Sequence, residues 1–160
     1  MRLLLALLLV AAALPARAAE VPDWFAETML DAREEAADAA KAGKRLMLYF
    51  WLEGCPYCER MTGVTFRDPA VLERLKRGFV PVGLNVRGDR DIVWTDGATL
   101  TEKQLTATLK VRGTPTMIFL DAKGAIALRL TGYLEPAEFA RALDSLSTAP
   151  TAGPRSASPR

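Results

Sequence analysis

Hydrophobic positions along the chain form short unbroken runs that alternate with amphipathic segments. The runs 45–52 and 117–120 show no alternation of polarity, which is typical of strands buried on both faces of a sheet. A third apolar segment, 79–86, contains Pro81, which favours an edge or bulged position because proline cannot donate to a sheet ladder. The pattern predicts an α/β domain with the first strand at the centre of its sheet.

Amphipathic segments between these runs predict helices. Asp68 and Thr101 are suited to cap two of them, since their side-chain oxygens accept orphan backbone N–H groups. The charged, glycine-containing stretch 87–98 is predicted to be a long loop with Trp94 exposed. Helices are predicted over 23–42, 55–63, 69–77, 102–111 and 136–146, and a returning strand over 125–131 after a turn at 121–124.

The two ends of the chain differ from its middle. Residues 1–18 combine a charged start, an apolar run too short to span a membrane comfortably, and small residues at the positions that signal peptidase reads, Ala16 and Ala18. They predict a secretory signal peptide, with an uncleaved N-terminal anchor as the alternative. Residues 148–160 have no apolar periodicity and predict a disordered tail. The folded domain is therefore expected over 19–147, outside the cytoplasmic membrane.

Charge and composition exclude several classes of function. Two of the 21 basic side chains, Arg2 and Arg17, lie in the predicted signal peptide, which leaves 19 to balance the 19 acidic ones. A near-neutral mature protein has no basic field to capture phosphates, so nucleic acid is not expected as a partner. The chain has no histidine, which excludes Ser-His-Asp and Cys-His nucleophiles and histidine-ligated metals.

The chain has two cysteines, Cys55 and Cys58, where the first strand gives way to a helix. Pro56 suits the first helical position, so Cys55 is expected at the N-cap, facing unpaired N–H groups and the positive end of the helix dipole. Both favour a thiolate and a pKa below the free-thiol value of about 8.5. One helical turn separates the sulfurs, a distance that a disulfide can close. A redox pair is the interpretation that this spacing favours.

Two other interpretations of the cysteine pair remain open. The pair could be a structural disulfide in an exported protein, although so short a loop constrains little unfolded-state entropy. It could also be half of a metal site, but such a site needs further ligands, and the chain has neither histidine nor a third cysteine. No metal is therefore expected.

Motifs beyond the cysteine pair carry a family resemblance. The domain from about residue 23 to 147 resembles the thioredoxin fold and, within it, the SoxW-type periplasmic thioredoxins. The resemblance implies a central mixed sheet of about four strands flanked by helices, with an extra N-terminal helix. The matching stretches are Glu53-Gly54-Cys55-Pro56-Tyr57-Cys58, Gly88-Asp89-Arg90, Leu100-Thr101-Glu102, Gly113-Thr114-Pro115-Thr116 and Gly132-Tyr133.

The resemblance implies dithiol–disulfide exchange. Cys55 would be the exposed nucleophile, and Cys58, more buried, would resolve the mixed disulfide. Thr114-Pro115 resembles the cis-proline junction of the family, which keeps metal away from the thiols and offers backbone to a substrate strand. Pro56, between the cysteines, would support the site.

Three positions near the pair qualify this picture. Tyr57, between the cysteines, is expected to be exposed and to be available to a partner. Tyr49 stands where typical thioredoxins have a buried aspartate that assists proton transfer. We expect Glu53 or water to take that role.

These observations predict a periplasmic thiol-disulfide oxidoreductase that reduces protein disulfides, without an organic cofactor and as a monomer. The resemblance implies electrons from a membrane thiol carrier and a link to sulfur oxidation. The alternatives are a disulfide oxidase or isomerase, a thiol reductase in cytochrome c maturation, and a non-catalytic binding module with a structural disulfide.

Overall fold

A computed structural model describes residues 21–27 and 31–148 of the chain. Within them, the predicted helices and strands follow one another in the predicted order, with two further short strands and one 3₁₀ turn at Thr65–Arg67. The helices are α1 (Ala32–Lys41), α2 (Pro56–Gly63), α3 (Pro69–Gly78), α4 (Glu102–Thr108) and α5 (Pro136–Thr148). The strands are β1 (Arg45–Trp51), β2 (Phe79–Asn85), β3 (Asp91–Val93), β4 (Thr99–Thr101), β5 (Thr116–Leu120) and β6 (Ile126–Thr131).

Four strands form one mixed sheet in the order β2-β1-β5-β6. β1 is parallel to β2 and antiparallel to β5, and β6 is antiparallel to β5. The predicted central place of β1 and edge place of β2, with its Pro81, are both confirmed. The predicted mixed sheet with an N-terminal helix is therefore the fold of this chain.

β1 is buried on both faces because its alternate side chains enter two separate cores. Leu46, Leu48 and Phe50 face the core that α1 and α4 cover, which contains Ala32 and Leu105. Its other side chains face the second core, built with α2, α3 and α5; Met47, Tyr49, Met61, Val71 and Phe139 belong to this core. An unbroken apolar run was therefore the correct signal for this strand.

Helix starts follow the predicted caps. Asp68 accepts the backbone N–H groups of Ala70 and Val71 at 3.0 Å. Thr101 and Gln104 form a capping box at the start of α4, in which each side chain binds the other residue's backbone N–H. Local side-chain chemistry thus sets where these helices begin.

The predicted helix over 23–42 is wrong in its first part. α1 begins at Ala32, because the Asp31 carboxylate accepts the N–H groups of Arg33 and Glu34 and so caps the helix there. Phe25 lies in a turn before the helix and packs edge-on against Tyr49, with ring centroids 5.8 Å apart. Apolar residues that were assigned to a helix face therefore fill the second core from an irregular segment.

The predicted long loop over 87–98 is also wrong in part. β3 lies within this stretch and pairs antiparallel with β4, which follows it, and Trp94 is only 8% exposed rather than on the surface. Ile92 and Trp94 both belong to the core under α1 and α4. Strands of three residues are too short to show a period in the sequence, so their pairing was not detectable.

The remaining boundaries differ by a few residues. α4 ends at Thr108 rather than at 111, and Lys110 has a left-handed backbone with φ of 53°. α5 runs to Thr148, one residue into the predicted tail. The predicted signal peptide 1–18 and the rest of the tail lie outside the described residues. Across the part of the chain that is described, no helix has the length and hydrophobicity needed to cross a membrane.

Candidate active site: the dithiol at the start of α2

The cysteine pair lies where the central strand meets α2. After β1, Gly54 adopts a left-handed conformation, with φ of +70°, that favours glycine over other residues. Cys55 is the N-cap of α2 and Pro56 takes its first position, as predicted. The first turn of the helix then places Cys58 next to Cys55.

The Cys55 sulfur accepts two hydrogen bonds from neutral donors. The Cys58 backbone N–H lies 3.2 Å from Cys55 Sγ, and the Thr114 hydroxyl lies 3.3 Å from it. Burial alone would raise the pKa of Cys55, but the hydrogen bonds from Cys58, Thr114 and the backbone outweigh it and lower that pKa below its ordinary value. The site therefore favours the thiolate at Cys55, as the sequence predicted.

Cys58 has the opposite electrostatic character. Burial, followed by its hydrogen bond to Cys55, raises the pKa of Cys58 to about 11. Both cysteines are free thiols in this structure. One sulfur is thus prepared to ionise, while the other holds its proton.

The nucleophile is less exposed than predicted. Cys55 is 9% exposed and Cys58 is 4% exposed, so the two differ in the expected direction but both are buried. Thr114 covers Cys55, since its hydroxyl and its carbonyl oxygen both contact Sγ. Pro56 is exposed and Tyr57 is 62% exposed, so the surface beside the pair is formed by the two residues between the cysteines.

The Thr114-Pro115 peptide bond is cis, as the resemblance implied. The Pro115 carbonyl accepts the Gly132 N–H at 2.8 Å, and the Thr116 hydroxyl donates to the Gly113 carbonyl at 2.7 Å. These bonds join the segment to the beginning of β5 and the end of β6. The sheet therefore positions Thr114 against Cys55.

Tyr49, which stands in place of the buried aspartate, and Glu53, which is expected to take its role, lie in different environments. Tyr49 is fully buried, and its hydroxyl donates to the Cys58 carbonyl at 3.4 Å. Burial, followed by the charge of Cys58, raises the pKa of Tyr49 so far that its hydroxyl stays neutral and cannot serve as a base. Glu53 lies exposed on the loop before Cys55, where its role stays a prediction.

Sequence reasoning missed a cluster that joins α2 to the segment before α5. The Arg60 guanidinium lies 4.2 Å from the Tyr133 ring centroid and 2.8 Å from a Glu135 carboxylate oxygen. The Tyr133 hydroxyl donates to the other oxygen of Glu135 at 3.0 Å. Tyr133 therefore packs on the helix that carries Cys58. No local pattern pointed to this cluster, because its members are brought together only by the fold.

A second missed cluster surrounds Glu102. Its carboxylate accepts the Asn85 N–H and the Arg90 guanidinium, both at 3.1 Å, and Arg90 also donates to the Gly83 carbonyl at 2.8 Å. A Cβ at Gly88 would collide with the same carboxylate. The Gly88-Asp89-Arg90 and Leu100-Thr101-Glu102 stretches of the family resemblance thus meet in one ion-pair cluster.

The described residues offer no complete set of metal ligands. Within residues 21–27 and 31–148, no group of three or more His, Cys, Asp or Glu side chains is arranged to hold a metal ion. Cys55 and Cys58 provide two sulfur ligands, whereas structural zinc sites are almost always four-coordinate.

The fold and the dithiol define a class: a thioredoxin-fold protein with its C-x-x-C pair at the start of a helix and a cis-proline beside it. Residues 32–147 match the thioredoxin-like domain family, and the chain belongs to that family.

Two comparisons add detail to the assignment. The chain is 31% identical over 117 residues to the thiol:disulfide interchange protein DsbD of Vibrio vulnificus strain CMCP6. The alignment covers 72% of this chain and 18% of that protein. It therefore spans less than a fifth of the length of this relative. A thioredoxin from Thermus thermophilus superposes with a TM-score of 0.57 at 34% identity, covering 72% of this chain and 83% of that one.

A third comparison bears on the fold alone. The oxidised C-terminal domain of Neisseria meningitidis DsbD superposes with a TM-score of 0.52 at 21% identity, covering 76% of this chain and 97% of that domain. The two comparisons above 30% identity support a thioredoxin-like protein that is similar to a thioredoxin and to part of a thiol:disulfide interchange protein. They do not single out the SoxW type, which stays a prediction.

Proposed function

We propose that this protein is a thiol-disulfide oxidoreductase that reduces disulfides of partner proteins. The single observation that carries the proposal is the asymmetry of the dithiol. The Cys55 sulfur is stabilised as a thiolate by two neutral donors, while its neighbour Cys58 has a pKa raised to about 11. Attack requires a thiolate, and resolution requires a second thiol that does not compete for the first step.

The exchange balances within the pair. The Cys55 thiolate attacks one sulfur of a partner disulfide; the partner S–S bond breaks, a mixed disulfide forms, and the departing thiolate takes up a proton. Cys58 then loses its proton and attacks Cys55 Sγ, which forms the Cys55–Cys58 disulfide and releases the second partner thiol. Two electrons pass from the dithiol to the partner. A thiol carrier must then reduce the Cys55–Cys58 disulfide again.

The second step needs an acceptor for the Cys58 proton. Tyr49 cannot accept it, since burial raises the pKa of its hydroxyl and keeps it neutral. We propose that water or the exposed Glu53 carboxylate takes this proton. Glu53→Gln should then slow the resolving step at neutral pH while leaving the first attack unchanged. Unchanged rates across the pH range would remove Glu53 from the mechanism.

The place of action is proposed to be the periplasm. The predicted signal peptide over residues 1–18 supports export, and the similarity to a protein named for thiol:disulfide interchange supports a partner that exchanges thiols. We propose a membrane thiol carrier as the electron source and, from the SoxW resemblance, sulfur-oxidation proteins as recipients.

Turnover with insulin and a chemical reductant tests the proposal. Wild-type protein should reduce insulin catalytically, Cys55→Ser should reduce it no faster than the reductant alone, and Cys58→Ser should accumulate a covalent complex with the partner. A Cys55→Ser variant as active as wild type would contradict the assignment. Absence of turnover in the wild type would instead favour a binding module with a structural disulfide.

An oxidase or isomerase is the second candidate, and one observation favours it. Hydrogen bonds that stabilise the Cys55 thiolate also stabilise the reduced protein, which makes the disulfide a stronger oxidant. The reduction potential, measured by equilibrium with glutathione, separates the two directions. A value near the roughly −270 mV of thioredoxin supports a reductase, and one near the roughly −120 mV of a strong oxidase overturns it.

A further inference from the structure

A pocket of about 320 Å³ borders the active site. Thr114 is part of its wall, and the same residue contacts the Cys55 sulfur through its hydroxyl and its carbonyl oxygen. A molecule seated in the pocket therefore lies next to the residue that covers the nucleophile. This position makes the pocket part of the surface that a partner disulfide must approach.

The lining of the pocket is apolar and cationic. Leu52, Val86 and Val111 supply aliphatic surface, and Arg87 and Arg112 supply two guanidinium groups. None of the residues that line the pocket is acidic. An occupant that suits this lining combines an apolar side chain with negative charge.

The two arginines are available to a partner. Both are exposed, and neither side chain makes a hydrogen bond or ion pair with another residue of the described part of the chain. Arg60 and Arg90, by contrast, are both paired with carboxylates. Unpaired cations in a pocket that borders the active site add attraction for an acidic segment and raise its rate of encounter.

We propose that this pocket selects partner proteins whose disulfide is flanked by acidic residues and an apolar side chain. The proposal rests on the oxidoreductase function above and adds a substrate class to it. The apolar side chain of the partner packs on Val86 and Val111, and its carboxylates pair with Arg87 and Arg112. The partner disulfide then reaches the Cys55 sulfur at the edge of the pocket that Thr114 forms.

Two disulfide peptides test the selection. They share one sequence with one apolar residue beside the half-cystine, and they differ only in carrying two aspartates or two lysines next to it. Wild-type protein should show the higher kcat/KM for the acidic peptide. Since exposed ion pairs are individually weak, Arg87→Gln and Arg112→Gln should each lower that kcat/KM about threefold, and the double variant about tenfold.

Matched controls separate recognition from general effects. Arg141→Gln removes one equal charge from an exposed position on α5 and should leave both peptides unaffected. Alkylation of Cys55 by neutral iodoacetamide should be unchanged in the double variant. The preference of the wild type should also shrink with salt, because the screening length falls from about 30 Å at 0.01 M to about 3 Å at 1 M.

Each outcome decides for or against the proposal. A loss confined to the acidic peptide supports it. Equal losses for both peptides, or alkylation that slows as much as reduction, overturn it, because the arginines then act on the thiolate. If the variants lose as much activity with glutathione disulfide as with the acidic peptide, the occupant is a small acidic disulfide rather than a protein segment, and the proposal is overturned. If wild type reduces both peptides equally, only this proposal fails; if it reduces neither, the proposed function fails first.

Discussion

The starts of α2 and α4 hold two buried polar groups in different ways. Cys55 is 9% exposed and receives hydrogen bonds from neutral donors, the Cys58 N–H and the Thr114 hydroxyl. Glu102 is 7% exposed, and its carboxylate receives the Asn85 N–H together with the Arg90 guanidinium. Neutral donors stabilise a thiolate but leave its charge uncancelled, whereas the ion pair cancels the charge of the carboxylate.

The comparison shows why one helix start is suited to chemistry and the other to structure. A thiolate without a paired cation keeps its nucleophilicity, and Thr114 lies against it from another strand. Glu102 instead joins the end of β2 to Arg90, just before the β3–β4 hairpin, so its pairing fixes backbone. Changes at α4 are therefore expected to alter stability, and changes at α2 to alter thiol reactivity.

The largest effect of a substitution at fixed pH is expected at the α4 start. Glu102→Gln removes the charge that pairs with Arg90, and Gly88→Ala forces a methyl group against the same carboxylate. Each should lower the free energy of unfolding by about 2 kcal/mol. The loss is no larger because the solvent around the partly exposed Arg90 screens its ion pair with Glu102. Urea unfolding measures this, with the exposed Glu138→Gln as the control, expected to shift it by less than about 0.5 kcal/mol. A change of Cys55 reactivity in Glu102→Gln would break the separation between the two sites.

The next effect is the pH dependence of stability in the reduced protein. The folded state holds the Cys58 proton up to a pKa of about 11, while an unfolded thiol loses its proton from about pH 8.5. Between these values the folded state binds more protons, so the free energy of unfolding falls as pH rises, by about 3 kcal/mol by pH 11. Urea unfolding of wild type and Cys58→Ala across pH 8 to 11 isolates this contribution. Parallel curves for the two proteins would show that Cys58 ionises as easily in the folded state as in the unfolded one.

A smaller effect is expected from the neutral donor on Cys55. Thr114→Val removes the hydroxyl that lies 3.3 Å from the sulfur and keeps the shape of the side chain. The pKa of Cys55 should rise, and alkylation near pH 6 should slow by about two- to tenfold, as for loss of one hydrogen bond. Thr99→Val, at an exposed position on β4, serves as the control. An unchanged alkylation rate in Thr114→Val would show that the Thr114 hydroxyl does not lower the pKa of Cys55 and that the backbone N–H donors stabilise the thiolate without it.

The smallest effect is expected at Tyr49. Its hydroxyl makes one long bond, 3.4 Å, to the Cys58 carbonyl, and its raised pKa keeps it out of proton transfer. Tyr49→Phe should therefore lower stability by less than about 1 kcal/mol and leave the pH profile of disulfide exchange unchanged. A shifted pH profile would give the Tyr49 hydroxyl a place in the proton path that its burial argues against.

The amino-acid sequence by itself determined the main strands, the capped helix starts and the position of the dithiol. Each depends on signals within one turn or one strand: the unbroken run of β1, Asp68 before Pro69, Cys55 before Pro56. Such signals act between neighbours in the chain, so they can be recognised from the sequence without knowledge of the fold. Predictions from these signals were wrong where a cap lies inside an apparently continuous helical pattern, as Asp31 does before α1. They also missed β3 and β4, because strands of three residues are too short to show a period.

Only the tertiary structure decided what surrounds the reactive sulfur. Thr114 lies 59 residues after Cys55, and sheet pairing brings the two together. The same holds for Arg60 with Tyr133 and for the pocket that carries Arg87 and Arg112. Hydrogen bonding, burial and charge at a site depend on groups that are distant in the chain, and the energy that positions them is that of core packing and strand pairing, which no local pattern encodes.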